Sequence, residues 1–358
     1  MSLVADARML GHSGIGTYVA NVLPRIAALR PGRVRAIGDP AALARLSWPD
    51  GAKPGVVDCR SPIFSLREQL ELPRRIPADC EVLWSPQFNI PLAYRGRLVV
   101  TIHDVLHIAL PQYMKGLHRR LYARTLLAAV RHKANRIICD SRFTADELGR
   151  LVGIRSARID VIPIGVDESW FSANPGARPP RPYFVFVGNV KAHKNVVGLI
   201  RAFREVAPKL PHDLVIVGKK QGFITGDRSA EAMAAELGER VRFTGLVEDA
   251  EVKRCVAGAE ALVLPSFYEG FGLPPLEAMA CGCPTIVSAV ASLPEVCGDA
   301  ALYCDPHDAA DIAARMIEVA TDEALRAMLR AKGMERARRF TWDKCARETL
   351  QVLEHTAA

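Results

Sequence analysis

Two carboxylates, Glu269 and Glu277, lie where residue types and spacing point most directly to chemistry. The seven residues between them include Gly270, Gly272 and two prolines, which interrupt helices and strands, so Glu269 is predicted on a loop. From Leu276 onward, apolar residues recur at helical spacing, which predicts Glu277 in the first turn of a helix. Because open α/β sheets bind ligands near helix N-termini beyond their strands, this loop is a candidate ligand site.

Two lysines and a histidine also follow predicted strands. Lys191 and Lys194 come after the glycine turn that ends strand 183–187, where ammonium groups could neutralise a diphosphate. His103 comes directly after strand 98–102, which places an imidazole at a carboxyl end of the sheet. Taken alone, each is more often explained as a solvated lysine pair or a structural histidine.

A glycine loop joins the first predicted strand, 3–7, to the first predicted helix. Its residues Gly14 and Gly16 lie at the start of that helix, where exposed amides attract anions and glycine lets a ligand approach the backbone. A plain tight turn is the equal alternative, because glycine is a common turn residue.

The elements that must position these residues alternate along the whole chain. Strands are predicted for 3–7, 33–37, 56–59, 81–84, 98–102, 136–139 and 159–162, then for 183–187, 214–217, 240–243, 261–264, 285–287 and 301–303. Helical patterns separate most of them, which predicts an α/β protein with largely parallel sheets covered on both faces. The proline-rich range 174–182 is predicted to link two domains.

Composition places the chain among globular proteins. Its 358 residues suffice for two domains, and 49% hydrophobic with 24% charged residues is not a disordered composition. No apolar run approaches the roughly 20 residues that span a bilayer, and no signal-peptide pattern opens the chain, so a cytoplasmic location is expected. The nine cysteines are scattered, and we expect neither a metal site nor disulfides.

Positive charge is concentrated in the first part of the chain. Residues 1–165 carry 24 Lys and Arg against 13 Asp and Glu (+11), whereas residues 166–358 carry 23 against 26 (−3). Range 115–136 holds seven basic residues and no acid. Its apolar residues predict an amphipathic helix whose apolar side consists of Leu117, Leu121, Tyr122, Leu126 and Leu127. It is either a solvated helix face or a platform for anionic lipid or a lipid-diphosphate acceptor. No aromatic and basic interleaving indicates a nucleic-acid partner.

The range 267–284, FYEGFGLPPLEAMACGCP, resembles the E-x7-E signature of the family 4 glycosyltransferases, which are retaining enzymes of the GT-B fold. GIGTY at 14–18, HKN at 193–195 and FTW at 340–342 support a resemblance over nearly the whole chain. It implies two Rossmann-like domains facing a cleft. Residues 1–170 would form the acceptor domain, residues 181–340 would bind the nucleotide sugar, and helix 341–358 would cross back to the N-terminal domain.

The resemblance also implies roles within the E-x7-E stretch. Glu277 would bind the ribose, Glu269 would lie beside the sugar, and the backbone of Phe271, Gly272 and Leu273 would approach the sugar hydroxyls and the diphosphate. Whether Glu269 ever bonds to the sugar stays open.

Outside that stretch, the implied roles match the family less evenly. His103 would approach the donor sugar, and Gly14 and Gly16 would face the diphosphate and the acceptor. Lys194 carries over directly, while Lys191 is a candidate substitute for the family Arg, because Asn189 stands in that place. Two nucleotide-binding candidates remain, Gly218 and Leu246, and each lies at the end of a predicted strand. The family binds the nucleotide base at the second of these strand ends, where Leu246 lies.

The motif wording is most similar to bacterial mannosyl and rhamnosyl transferases of surface-polysaccharide assembly. GDP-mannose is the leading donor, with UDP-glucose or dTDP-rhamnose as alternatives, a glycan or lipid-linked acceptor, and a peripheral contact with the inner membrane face through helix 115–136. No cofactor is expected. An NAD-dependent oxidoreductase would need G-x-G-x-x-G, which Gly11, Gly14 and Gly16 do not match, and a non-catalytic sugar-nucleotide-binding protein would lose His103 or Glu269.

Overall fold

Parallel strands in two separate sheets form the framework of the protein. The computed structural model describes residues 2–12, 14–49, 51–113, 117–176, 180–218 and 228–358. The chain divides into a first unit, Met1–Gly165 with Thr341–Ala358, and a second unit, Val166–Phe340.

The first unit is built on a seven-stranded sheet. Its strands are β1 (Leu3–Asp6), β2 (Val34–Gly38), β3 (Gly55–Asp58), β4 (Val82–Ser85), β5 (Leu98–Ile102), β6 (Arg136–Cys139) and β7 (Ile159–Val161). Their order is β3-β2-β1-β4-β5-β6-β7, and all pairs are parallel. β4 and β5 are buried at every residue, as expected for strands covered on both faces.

The helices of the first unit are α1 (Ile15–Leu29), α2 (Pro40–Ala44), α3 (Leu66–Arg75), α4 (Leu106–Ala109), α5 (Leu117–Lys133) and α6 (Arg142–Val152), together with the last helix of the chain, α14 (Trp342–Ala357). Side chains fix several of their ends. Ser141 accepts a hydrogen bond from the Thr144 amide at the start of α6, and Gly153 ends that helix in the left-handed conformation.

Helix α14 packs against α1, although more than 300 residues separate them in sequence. Trp342 is buried with its ring edge-on to Tyr18, and Arg25 pairs with Asp343 at 2.7 Å. A Cβ on Gly165 would lie 2.1 Å from the Trp342 backbone nitrogen, so glycine permits this close approach. The predicted return of the C-terminal helix to the N-terminal domain is confirmed.

The second unit is built on a six-stranded sheet. Its strands are β8 (Tyr183–Val187), β9 (Asp213–Val217), β10 (Val241–Gly245), β11 (Ala261–Leu264), β12 (Thr285–Ser288) and β13 (Leu302–Cys304). Their order is β10-β9-β8-β11-β12-β13, with all pairs parallel. The covering helices are α7 (Val196–Val206), α8 (Arg228–Glu236), α9 (Asp249–Ala257), α10 (Leu273–Ala280), α11 (Leu293–Cys297), α12 (Ala309–Thr321) and α13 (Glu323–Ala337).

Two parallel-sheet α/β domains, as predicted, are confirmed by this architecture. The chain passes between the units at Gly165 and again at Phe340. Range 174–182, predicted as a linker, falls within the second unit, and its residues 177–179 lie outside the described residues. Proline-rich composition is shared by linkers and by surface loops of a domain, so composition alone did not locate the boundary.

Candidate functional site

The second unit carries most of the predicted site at a reversal in strand order. β8 lies between β9 and β11 in the sheet, so the chain leaves the ends of β8 and β11 in opposite directions. Lys194 closes a short 3-10 turn, Ala192–Lys194, after β8, and Glu269 follows β11. Such a reversal opens a crevice at the carboxyl ends of the strands, where ligands of open α/β sheets bind.

Lys194 and Glu269 form an ion pair in that place. The Lys194 Nζ atom donates to both carboxylate oxygens of Glu269, at 2.6 and 2.7 Å, and the two side chains are only 16% and 10% exposed. Burial strengthens this attraction, because little water screens the charges. The pair therefore holds a cation at the strand ends, where an anionic ligand would compete with Glu269 for it.

Backbone donors lie directly after Glu269. The N–H groups of Phe271, Gly272 and Leu273 donate to no acceptor among the described residues. Gly272 has φ 106°, and a Cβ there would meet a Leu293 methyl group at 2.7 Å. Both the positive φ and the lack of space therefore favour glycine at this position. These amides form the positive end of α10, an arrangement that suits phosphoryl or hydroxyl oxygens.

Glu277 lies one turn deeper in α10 than predicted. The helix begins at Leu273, because prolines are tolerated at its first positions, and Glu277 is therefore its fifth residue. Burial and the nearby Asp249 raise the pKa of Glu277 to about 8, although Lys253 and a hydrogen bond from Trp170 act in the opposite direction. The carboxyl group is consequently largely protonated at neutral pH.

The surroundings of Glu277 include a cation that the sequence did not single out. Lys253 is 18% exposed, lies 5.7 Å from the centre of the Trp170 ring and pairs with Asp249. The four-residue spacing from Asp249 along α9 is the sequence pattern that could have indicated this ion pair.

Three other predicted residues of the second unit make no side-chain hydrogen bond or ion pair with Lys194 or Glu269 in the described part of the chain. Gly218 follows β9, and a Cβ there would lie 2.0 Å from the Gly188 carbonyl oxygen, so this glycine is needed for packing. Leu246 is 74% exposed after β10. Lys191 is exposed, and its side chain makes no hydrogen bond or ion pair with the described residues.

His103 lies in the first unit at the end of β5, between two acceptors. Its Nδ1 atom is 2.6 Å from an Asp140 carboxylate oxygen, and its Nε2 atom is 3.0 Å from the Pro86 carbonyl oxygen. Burial lowers the pKa of His103, but the charge and hydrogen bond of Asp140 outweigh it, so the pKa is raised. Both ring nitrogens can therefore carry protons, as an imidazolium does.

Asp140 is a residue that sequence reasoning missed. It directly follows β6, the neighbour of β5 in the sheet, so an acid at one strand end meets a histidine at the next. Recognising this in the sequence requires the strand order, which the alternation of elements does not supply.

The two glycines of the first loop differ in what they permit. Gly14 is exposed with φ 78° and precedes α1. Gly16 is buried, and a Cβ there would lie 2.6 Å from the Leu10 carbonyl oxygen, which explains that glycine by packing. Ser13, directly before Gly14, lies outside the described residues.

A buried ionic cluster at the end of β1 was also missed. Arg8 pairs with Asp6 at 2.7 Å and with Glu68 at 2.9 Å, and all three side chains are at most 3% exposed. Tyr122 of α5 joins the cluster through Asn89, to which its hydroxyl donates at 2.7 Å. No three His, Cys, Asp or Glu side chains group as a metal site within the described part of the chain.

Family models match both units. The description "Glycosyltransferase Family 4" matches residues 13–170, and "Glycosyl transferases group 1" matches residues 169–336. The O-antigen chain mannosyltransferase B of Escherichia coli is 30% identical over 281 residues, which are 75% of this chain and 72% of that protein. The serotype-specific mannosyltransferase WbdA of Escherichia coli is 28% identical over 284 residues, and the match spans only 34% of its length.

Solved structures share the fold over the full chain. Sucrose-phosphate synthase from Thermosynechococcus elongatus has a TM-score of 0.80 at 20% identity, with 99% of both chains covered. Anabaena HepE in complex with UDP and glucose has a TM-score of 0.78 at 17% identity, with the same coverage.

Proposed function

Because the chain belongs to the family 4 glycosyltransferases of the GT-B fold, we propose that it transfers a mannosyl group from GDP-mannose to a hydroxyl group of a glycan or lipid-linked acceptor during surface-polysaccharide assembly. Residues 1–170 with 341–358 would hold the acceptor, and residues 181–340 would hold the nucleotide sugar.

This proposal rests on the ion pair between Lys194 and Glu269 and on the nearby amides of residues 271–273, which have no acceptor among the described residues. Sugar transfer requires a nucleoside diphosphate to leave from a carbon that becomes positively charged. Lys194 would neutralise the leaving diphosphate, and the amides of residues 271–273 would donate to its oxygens or to sugar hydroxyls. The anionic Glu269 would stabilise the positive charge that develops on the sugar.

Glu269 acts electrostatically in this proposal. Both of its oxygens accept from Lys194, so its negative charge is held in place and partly neutralised. The acceptor would attack on the same face from which the diphosphate leaves, and no covalent bond between Glu269 and the sugar would form.

The remaining predicted residues have proposed roles. Glu277 would accept hydrogen bonds from the ribose, and the His103 ring would approach the donor sugar. Gly14 and Gly16 would border the diphosphate and acceptor. Nucleotide contacts are further proposed for Lys191, Gly218 and Leu246.

Mannose is favoured by the names of three relatives. Two are the Escherichia coli proteins described above, and the third is the O-antigen chain mannosyltransferase RfbU of Salmonella typhimurium, 30% identical over 211 residues. UDP-glucose or dTDP-rhamnose remains the alternative donor. The HepE complexes support UDP-sugars only through a shared fold.

A donor panel tests the proposal. Thermal shift and calorimetry with GDP-mannose, UDP-glucose, dTDP-rhamnose and NAD should show the largest stabilisation with GDP-mannose, since a ligand that binds only the folded state raises the unfolding temperature. GDP release in the presence of a glycan acceptor should then follow. Preferential stabilisation by another nucleotide sugar would replace the donor, and binding of NAD alone would overturn the function.

We also propose that α5 contacts an anionic membrane surface at the inner face. No helix in the described part of the chain has the length and apolar character needed to cross a bilayer. Leu121 of α5 is 64% exposed between Arg120 and the exposed Arg124, a pairing of apolar and basic groups that suits a lipid interface. Residues 115 and 116 of the predicted basic segment lie outside the described residues.

A further inference from the structure

Ser292 is a fully buried residue whose hydroxyl group reaches the loop that carries Glu269. Its Oγ atom lies 2.9 Å from the Glu269 carbonyl oxygen and 2.7 Å from the Phe271 carbonyl oxygen. Both partners can only accept, so the hydroxyl hydrogen is shared between them. One side chain thus fixes the orientation of two peptide groups within three residues.

The orientation of these carbonyl groups determines where the neighbouring amides point. In a trans peptide, the C=O of one residue and the N–H of the next point in opposite directions, and the described residues contain no cis peptide. Since the Phe271 carbonyl points at Ser292, the Gly272 N–H points away from it. That N–H has no acceptor among the described residues.

Ser292 is itself held by strained backbone. Ala291 has φ 56°, a left-handed conformation that is unfavourable for a residue with a Cβ. The Ser292 carbonyl accepts from the Val296 amide at 2.9 Å, and the adjacent Leu293 is fully buried against Gly272. Strain of this kind persists where the surrounding structure enforces it and is concentrated at functional sites.

We propose that Ser292 is a positioning residue that directs the Gly272 N–H toward an oxygen atom in the diphosphate or sugar of the bound donor. This inference rests on the proposed glycosyltransferase function. Ser292 does not touch the donor. It keeps the peptide group between Phe271 and Gly272 from rotating, so that the amide is already aligned when the ligand arrives.

Ser288 offers a matched control four residues earlier. It is also fully buried, and its hydroxyl lies 2.6 Å from the Ser266 carbonyl oxygen. The amide of that peptide group, the Phe267 N–H, already donates to the His193 carbonyl oxygen at 2.8 Å. Ser288→Ala therefore removes an equivalent buried hydroxyl without releasing an amide that is available to a ligand.

The test measures binding of GMP, GDP and GDP-mannose to the wild type, Ser292→Ala and Ser288→Ala. Ser292→Ala should bind GMP normally and lose about 10-fold in affinity for GDP or GDP-mannose, the scale of one hydrogen bond. A loss that begins with GDP places the amide on the diphosphate, whereas a loss seen only with GDP-mannose places it on the sugar. Ser288→Ala should preserve the wild-type ratios.

The outcomes separate the inference from the function on which it rests. A wild-type protein that binds none of the three ligands overturns GDP-mannose as the donor, and with it the inference as stated for that donor. Wild-type binding with unchanged ratios in Ser292→Ala, or an equal loss in Ser288→Ala, overturns the inference alone. If Ser292→Ala does not fold, Ser292→Thr, which keeps the hydroxyl, should retain the wild-type preference for GDP-mannose over GMP, and its loss would contradict the inference.

Discussion

Lys194 and Glu269 show how two single residues depend on each other. Each follows a different strand, and their side chains form an ion pair at 2.6 Å. A donor diphosphate that takes Lys194 would release Glu269 to face the sugar. The change in partner would thus occur at the moment when the negative charge of Glu269 becomes useful to the reaction.

Lys194→Ala should lower turnover by at least about 100-fold, because the leaving diphosphate loses its charged partner. Steady-state transfer rates, with the unfolding temperature as a check on folding, measure this. Lys191→Ala is the comparison, since Lys191 is the other candidate partner of the diphosphate, and its exposed side chain is unpaired among the described residues. Normal turnover in Lys194→Ala with loss in Lys191→Ala would transfer the role to Lys191.

Glu277 should release a proton when GDP binds at pH 7. Its pKa of about 8 leaves the carboxyl mostly protonated, whereas ribose hydroxyls donate to the ionised form and lower that pKa. GDP affinity should therefore rise from pH 6 to pH 8 by up to about 10-fold per pH unit. Calorimetry in two buffers of different ionisation enthalpy counts the proton.

Glu277→Gln supplies the comparison for that measurement. The amide cannot ionise, so any proton exchanged by the phosphate groups of GDP remains while the contribution of Glu277 disappears. Equal proton release in both proteins would contradict the proposed contact between Glu277 and the ribose.

At the scale of elements, α5 has one buried and one exposed face. Its Leu126 and Leu127 are buried in the core, and Tyr122 reaches the ionic cluster around Arg8, while Leu121 and Arg124 face solvent. The sequence predicted Leu121 on the apolar side with Leu126. The structure places it on the exposed side, where it is available to a lipid surface.

Liposome binding should depend on that exposed face. Reversal of Arg120 and Arg124 to Glu should weaken binding to anionic vesicles, with about 1 kcal/mol lost per removed charge, and added salt should weaken wild-type binding in the same way. Arg347→Glu, an exposed arginine of α14, is the matched control and should bind normally. Binding that changes neither with added salt nor with the two charge reversals would show that α5 is an ordinary solvated helix.

Elements were the most predictable part of the protein. The thirteen strands of the described residues all lie within one or two residues of the predicted ranges. Most of them are buried on both faces, and such strands leave near-continuous apolar runs in the sequence. The motif between Glu269 and Glu277 located the candidate site because its residues are close together in the sequence. Asp140 and Ser292 could not be predicted, because their partners are 37 and 21 to 23 residues away and depend on strand order.

At the scale of the whole molecule, the second unit should respond to acid through His212. The His212 ring is stacked on Phe184, and neither ring nitrogen has a partner within the described structure. Burial, with Arg240 and Arg326 nearby, lowers the pKa of His212 to about 4. The unfolded chain takes up a proton near pH 6.5 and the folded chain does not, so stability falls between pH 6.5 and pH 4.

Between pH 7 and pH 5 the free energy of unfolding should fall by about 1 to 2 kcal/mol through this residue, with allowance for solvent screening. Urea unfolding at the two pH values measures it. His212→Phe keeps the stacked ring and removes the titrating group, so its stability should change less over that interval. An identical pH dependence in the variant would assign the acid sensitivity to other groups.

The position of α14 has a consequence for biosynthesis. Residues 341–358 leave the ribosome after the whole second unit, yet they pack on α1 and complete the first unit. The first unit therefore stays incomplete, with the surface around Tyr18 uncovered, while roughly half of the chain is translated. The inserted unit is continuous in sequence and can mature first, so the order of folding is expected to run opposite to the order of synthesis.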